Sequence, residues 1–226
     1  NRHAWRALHA QLANQRRVWH AGTLAKHLVM AGEPPGKYMA EHDFSVNEHA
    51  DTVTDAALQG IAVSEPEDSL PRVTLDELPK AVGDACRRAG WQSLMPVQSL
   101  ALPYLLAGRD IMVQSRTGSG KTGCYLLPML PHLSADLKAP QALVLAPTRE
   151  LAVQVEREAA IIFAETGIRT VAVYGGVGYK KQMDALRDGA QVIVGTPGRV
   201  LDHLLRRTME LRDLRVLVFD EADRML

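Results

Sequence analysis

An α/β fold around a parallel sheet is what this sequence predicts, and three observations carry that prediction. Five short apolar runs, residues 111–114, Ala142–Leu145, 171–173, 192–194 and Val216–Phe219, alternate with segments of helical periodicity. Continuous apolar runs separated by helices describe parallel strands covered on both faces. Each run leads into a short polar or glycine-rich segment, so all five segments are expected at the carboxyl edge of one sheet, where open α/β folds bind ligands.

The first run leads into Ser115-Arg116-Thr117-Gly118-Ser119-Gly120-Lys121-Thr122. Glycines there let backbone N–H groups close around a phosphate, Lys121 adds a point charge, and the Thr122 hydroxyl can reach Mg²⁺. This is a P-loop in which Ser115 replaces the first glycine of the strict pattern. A small residue at a strand end meets the same steric need. The second run leads into Pro147-Thr148-Arg149-Glu150-Leu151, the third into Gly175-Gly176, and the fourth into Thr196-Pro197-Gly198-Arg199. Arg149 and Arg199 fall at expected helix starts, where the dipole disfavours a cation. An anionic ligand explains that placement, and a helix-start salt bridge is the alternative. The last run ends in Asp220-Glu221-Ala222-Asp223, a metal-binding acidic pair followed by a second carboxylate.

Taken together and in this order, the segments resemble the first RecA-like domain of the DEAD-box RNA helicases, over roughly residues 71–226. Gly90-Trp91-Gln92-Ser93-Leu94-Met95-Pro96-Val97-Gln98 is similar to the adenine-reading motif of that family. A planar amide such as that of Gln98 can donate to one edge of adenine and accept from another. Leu94 and Met95 stand where the family has Pro and Thr, and Leu75 where it has an aromatic residue. A weaker adenine preference is the implied consequence.

The resemblance implies a RecA-like P-loop NTPase domain using ATP and Mg²⁺. Its nucleotide contacts are Trp91, Gln98, Arg116, Thr117, Gly118, Ser119, Gly120, Lys121 and Thr122. Lys121, Asp220 and Glu221 are the implied catalytic residues, with Thr122 and Asp220 placing the metal and Glu221 orienting or deprotonating water. Asp223 is implied to couple the ATP site to a following segment. Pro147, Thr148, Arg149, Gly175, Gly176, Thr196, Pro197, Gly198 and Arg199 are implied to hold the sugar-phosphate backbone of one RNA strand, which carries no base code. The family's second RecA-like domain, which supplies transition-state arginines, does not follow Leu226 in this chain. The domain is therefore expected to be incomplete, and residues 1–226 alone to be inactive.

Composition agrees with a soluble, intracellular chain. Hydrophobic residues make up 46% and charged residues 23% of 226 positions, which is ordinary for one buried core. Cys86 and Cys124 lack metal-ligand spacing and read as reduced thiols. No apolar run approaches the roughly 18 residues of a membrane span, so no membrane partner is expected. The net charge is zero but uneven. Residues 1–37 carry Arg2, Arg6, Arg16, Arg17, Lys26 and Lys37 against Glu33, whereas residues 38–70 carry eight acids and no Lys or Arg.

Residues 1–70 therefore form an N-terminal extension distinct from 71–226. Over residues 3–31 Trp5, Leu8 and Leu12 share a helical face, and an acidic linker follows. A docking arm for a ribonucleoprotein or protein partner, a targeting segment and a helix packed on its own domain are the three readings of this helical and extended arm. The reading for the domain is an RNA helicase or RNA-remodelling ATPase, with a non-unwinding RNA clamp or assembly factor, in ribosome biogenesis for example, as the alternative and a DNA helicase behind both. Cytoplasm, nucleus and mitochondrion are not distinguished.

Overall fold

The computed structural model describes residues 69–116 and 118–225. The arm read over residues 1–70, apart from its last two positions, and Thr117 of the P-loop lie outside the described residues.

Among the described residues four strands, β1 (Ala142–Leu145), β2 (Thr170–Val173), β3 (Val192–Gly195) and β4 (Val216–Phe219), form a parallel sheet in the order β2-β3-β1-β4. Val144 aligns with Val194 on one side and Val218 on the other. The α/β parallel-sheet expectation therefore holds, with one change of detail. Residues 111–114 contribute a single bridge residue, Gln114, instead of a strand. Ile111 and Val113 pack on Val97, Ala101 and Cys124, while Met112 is 79% exposed. This run has only one face to bury, so it lacks the two-sided cover that stabilises a parallel strand.

Among the described residues six α-helices surround the sheet: α1 (Lys80–Arg88), α2 (Pro96–Leu106), α3 (Lys121–Leu126), α4 (Arg149–Ile162), α5 (Lys180–Arg187) and α6 (Pro197–Leu205). Helix α4 starts where the Thr148 hydroxyl accepts the Leu151 N–H at 3.2 Å, a side-chain N-cap worth about 1 kcal/mol. It buries Ala152, Val155, Ala159 and Ile162, a stripe at helical spacing. Pro96 and Pro197 open α2 and α6, where a missing N–H costs nothing.

The strands divide their side chains between two cores. Ala142, Val144, Val192 and Val194 meet Val82 and Cys86 of α1, Leu102 of α2, Leu126 of α3 and the stripe of α4. Leu143, Leu145, Val173 and Ile193 meet Leu186 of α5 and Val200 and Leu204 of α6 on the other face. Each fully buried leucine contributes about 1.5–3 kcal/mol, and the two-sided burial holds the strand register. It also aligns the strand ends: Ala146 N–H donates to Gly195 O, Thr196 N–H to Val173 O and Asp220 N–H to Leu145 O, each at 2.9 Å. Four of the sequence segments are thereby brought to one edge.

Candidate functional site

The P-loop turns through Gly118 and Gly120, whose φ angles of +80° and +91° are left-handed. Glycine is required at 120 for a second reason. A Cβ there would lie 2.6 Å from Met95 Sδ and 2.7 Å from Gln98 Nε2. Lys121 Nζ donates to the carbonyls of Ser115 and Arg116, the latter at 2.9 Å, and Ser115 Oγ donates to Ser119 Oγ at 2.6 Å. The loop thus wraps around its own lysine. Arg116 and Gly118 are exposed at its rim.

Gln98 is 2% exposed, and its amide is engaged at both ends. Oε1 accepts the Met95 N–H at 2.9 Å and Nε2 donates to Gly120 O at 3.0 Å. It ties the start of α2 to the P-loop and keeps one N–H for another acceptor. Trp91 is half-buried against the core and stands beside Gly123. Leu75 likewise packs on the core, at the position of the family's aromatic residue.

Across the edge, Asp220 is 7% exposed and accepts the Tyr125 hydroxyl at 2.8 Å. Burial raises its carboxyl above the ordinary range and Glu221 adds to the rise, opposed by the Tyr125 hydrogen bond and by Lys121. Glu221 has φ +48° and ψ +49°, a left-handed conformation for a non-glycine residue. Such backbone costs of order 1–3 kcal/mol and clusters at functional sites. Its carboxylate accepts Arg224 at 2.6 Å. Asp223 is exposed within the short 3₁₀ turn Ala222–Arg224.

The segments on the other side of β1 are joined by cation–π contacts. The Arg149 guanidinium lies 5.0 Å from the Tyr174 ring centroid, beside Gly176. Arg199 lies 4.2 Å from the Tyr179 ring centroid and donates to Val177 O at 3.0 Å and Gln182 Oε1 at 3.2 Å. Neither arginine pairs with a carboxylate among the described residues, so the salt-bridge alternative has no support there. Gly175, Gly176 and Gly198 are exposed, Pro147 and Thr196 are half-buried, and Pro197 is buried. The Thr148 hydroxyl is committed to its helix cap.

Several residues of this edge escaped the sequence reading. Gln182, 4% exposed, bonds Arg199, the Tyr174 carbonyl and His203 Nε2. Tyr179 is flanked by Arg199 and by Arg206, which lies 4.7 Å from its ring centroid. Tyr125 was legible in part: it stands three residues after Thr122, on the same face of α3. Tyr174 adjoins Gly175-Gly176, a second usable signal.

The residues present suit magnesium bound with a triphosphate. Mg²⁺ takes hard oxygen donors and is held through one or two carboxylates plus substrate phosphates, and Asp220 is tied by the Tyr125 phenol to α3, the helix that carries Thr122. No group of three or more His, Cys, Asp or Glu able to hold a metal exists among the described residues, and such a magnesium needs none. Among those residues no helix is long and apolar enough to cross a membrane.

Comparison with known proteins agrees with this geometry. The DEAD/DEAH box helicase family matches residues 95–226. The chain is 52% identical over 145 residues to the ATP-dependent RNA helicase DeaD of Escherichia coli K12, covering 63% of this chain and 23% of that protein. The Haemophilus influenzae protein of the same name is 45% identical over 159 residues, covering 69% and 26%. The chain therefore spans about a quarter of the length of these relatives. A crystal structure of a DEAD box protein from Methanococcus jannaschii superposes with TM-score 0.63 at 34% identity, covering 68% of this chain and 43% of that one. A hypothetical ATP-dependent RNA helicase from Sulfolobus tokodaii gives 0.58 at 35%, covering 66% and 43%. With the P-loop and the acidic segment at one edge of a parallel sheet, and a family match over residues 95–226, the chain belongs to the DEAD/DEAH box helicase family.

Proposed function

We propose that this chain is the ATP-binding, RNA-gripping part of an ATP-dependent RNA helicase or RNA-remodelling ATPase. The observation that carries the reading is the alignment of β1 and β4. Asp220 N–H bonds Leu145 O, and Tyr125 of the P-loop helix reaches Asp220 at 2.8 Å. A phosphate-binding loop and an acidic pair are thereby joined, and two arginines without carboxylate partners among the described residues stand on the far side of β1.

In this reading Lys121 exchanges its loop carbonyls for phosphate oxygens, and the backbone of residues 118–120 cradles the phosphates. Thr122 and Asp220 would hold magnesium, which offsets charge developing on the transferring phosphoryl group. Glu221 leaves Arg224 to orient or deprotonate the attacking water, and Gln98 offers its spare N–H towards the base. Arg149, Arg199 and the exposed glycines of 175–176 and 198 hold RNA phosphates, reading shape and charge without sequence. Asp223 couples the two functions. Residues 1–70, basic then acidic, carry docking to a ribonucleoprotein partner.

Glu221→Gln in the full-length protein tests the assignment. The change keeps shape and removes the base, so ATP and RNA binding are expected to persist while turnover falls by roughly 10²–10⁴. Equilibrium binding and single-turnover hydrolysis measure the two separately. Loss of binding in step with rate would make Glu221 structural and overturn the reading.

A further inference from the structure

The Tyr125 hydroxyl reaches a group that the reading above assigns to magnesium. It donates to Asp220 Oδ2 at 2.8 Å across a separation of 95 residues, and Thr122, the other assigned ligand, stands one helical turn earlier in α3. Its ring packs against the core formed by α1, α4 and one face of the sheet. We propose that Tyr125 is a positioning residue for the metal: its hydroxyl locks Asp220 in the orientation that presents its remaining oxygen to magnesium.

The hydrogen-bond inventory supports this. A phenol has one proton to give and lone pairs to accept with. Giving the proton to Asp220 Oδ2 stops rotation of that carboxylate and leaves Oδ1 directed elsewhere. A phenylalanine would fill the same space and release the carboxylate.

This inference rests on the magnesium assignment, and the experiment separates the two. Magnesium is titrated against the full chain at a fixed concentration of a fluorescent ATP analogue, and nucleotide affinity without magnesium is measured in parallel. Tyr125→Phe is expected to raise the half-saturating magnesium concentration about 10-fold, the usual scale for losing a partner that orients a ligand. Its magnesium-free affinity should match the parent, because the ring is retained, and its thermal unfolding should fall only by as much as one lost buried hydrogen bond allows. Asp220→Ala is the reference and should raise the magnesium requirement further. If Asp220→Ala raises it and Tyr125→Phe does not, the positioning role is wrong. If Asp220→Ala leaves it unchanged, the magnesium assignment falls and this proposal with it.

Discussion

The two edges of the sheet are held together by different chemistry. At the amino edge, neutral amides do the work: Gln141, 0% exposed, accepts the Ser134 N–H and donates to Ser134 O and Leu137 O. Gln191, 1% exposed, accepts the Arg169 N–H and donates to Ala135 O. At the carboxyl edge, charged groups occupy comparable places: Lys121 on loop carbonyls, Arg224 on Glu221, and Arg199 on Gln182 and Val177 O. An amide buried among carbonyls and N–H groups has every bond satisfied and nothing better to bind. An ammonium on a neutral carbonyl gains by exchanging it for a phosphate, because the full negative charge of the phosphate adds an attraction that a carbonyl dipole lacks. The amino edge is therefore permanent structure, and the carboxyl edge is a set of bonds that a ligand can take over.

The largest effect that would test this contrast is expected from Gln141→Leu. It strands the N–H and the carbonyl of Ser134, since Leu137 O keeps the Ala139 N–H and Gln191, and buried groups without partners cost about 1–3 kcal/mol each. A stability loss of at least about 2 kcal/mol in chemical denaturation is expected, with nucleotide affinity unchanged under conditions where the protein is folded. A loss below about 1 kcal/mol would remove the claim that this amide fastens the amino edge.

Gln182→Met is the intermediate case, since it removes a neutral amide from the functional edge. It releases Arg199, the Tyr174 carbonyl and His203 together. Stability should fall by about 1–3 kcal/mol, and RNA affinity, measured by fluorescence anisotropy, should fall several-fold as Arg199 loses its hold. A stability loss with unchanged RNA affinity would place Gln182 with the amino-edge amides.

The smallest effect concerns acid. His203 is 0% exposed, bonded to Gln182 and Thr208 and near Arg199, Asp202 and Arg206. Burial, aided by Arg199, lowers its protonation below the ordinary 6.5. Because the unfolded chain takes up the proton first, this stability is complete above about pH 6.5 and is lost as pH falls towards the folded value, by at most about 1.4 kcal/mol per pH unit. Thermal unfolding between pH 7.5 and 5.5 should show this loss in the parent and less of it in His203→Gln. Equal slopes would assign the acid sensitivity elsewhere.

Local chemistry made much of this protein legible from its sequence. Four apolar runs became strands, the two central ones fully buried and the two outer ones partly so, and Gly120 was marked by the turn it serves. The run at 111–114 misled because apolar composition does not reveal whether a second covering face exists. Arg149 and Arg199 were placed at helix starts by position alone, but the rings of Tyr174 and Tyr179 that support them depend on how neighbouring loops cross. The Tyr125–Asp220 bond lay further out of reach. Its partners are 95 residues apart, and they meet only because β4 pairs beside β1 and carries Asp220 to the helix that follows the P-loop. Periodicity and turn chemistry are properties of adjacent residues and can be read in order along the chain. Which side chains converge at the edge is decided by the order of strands in the sheet, which depends on burying both faces at once.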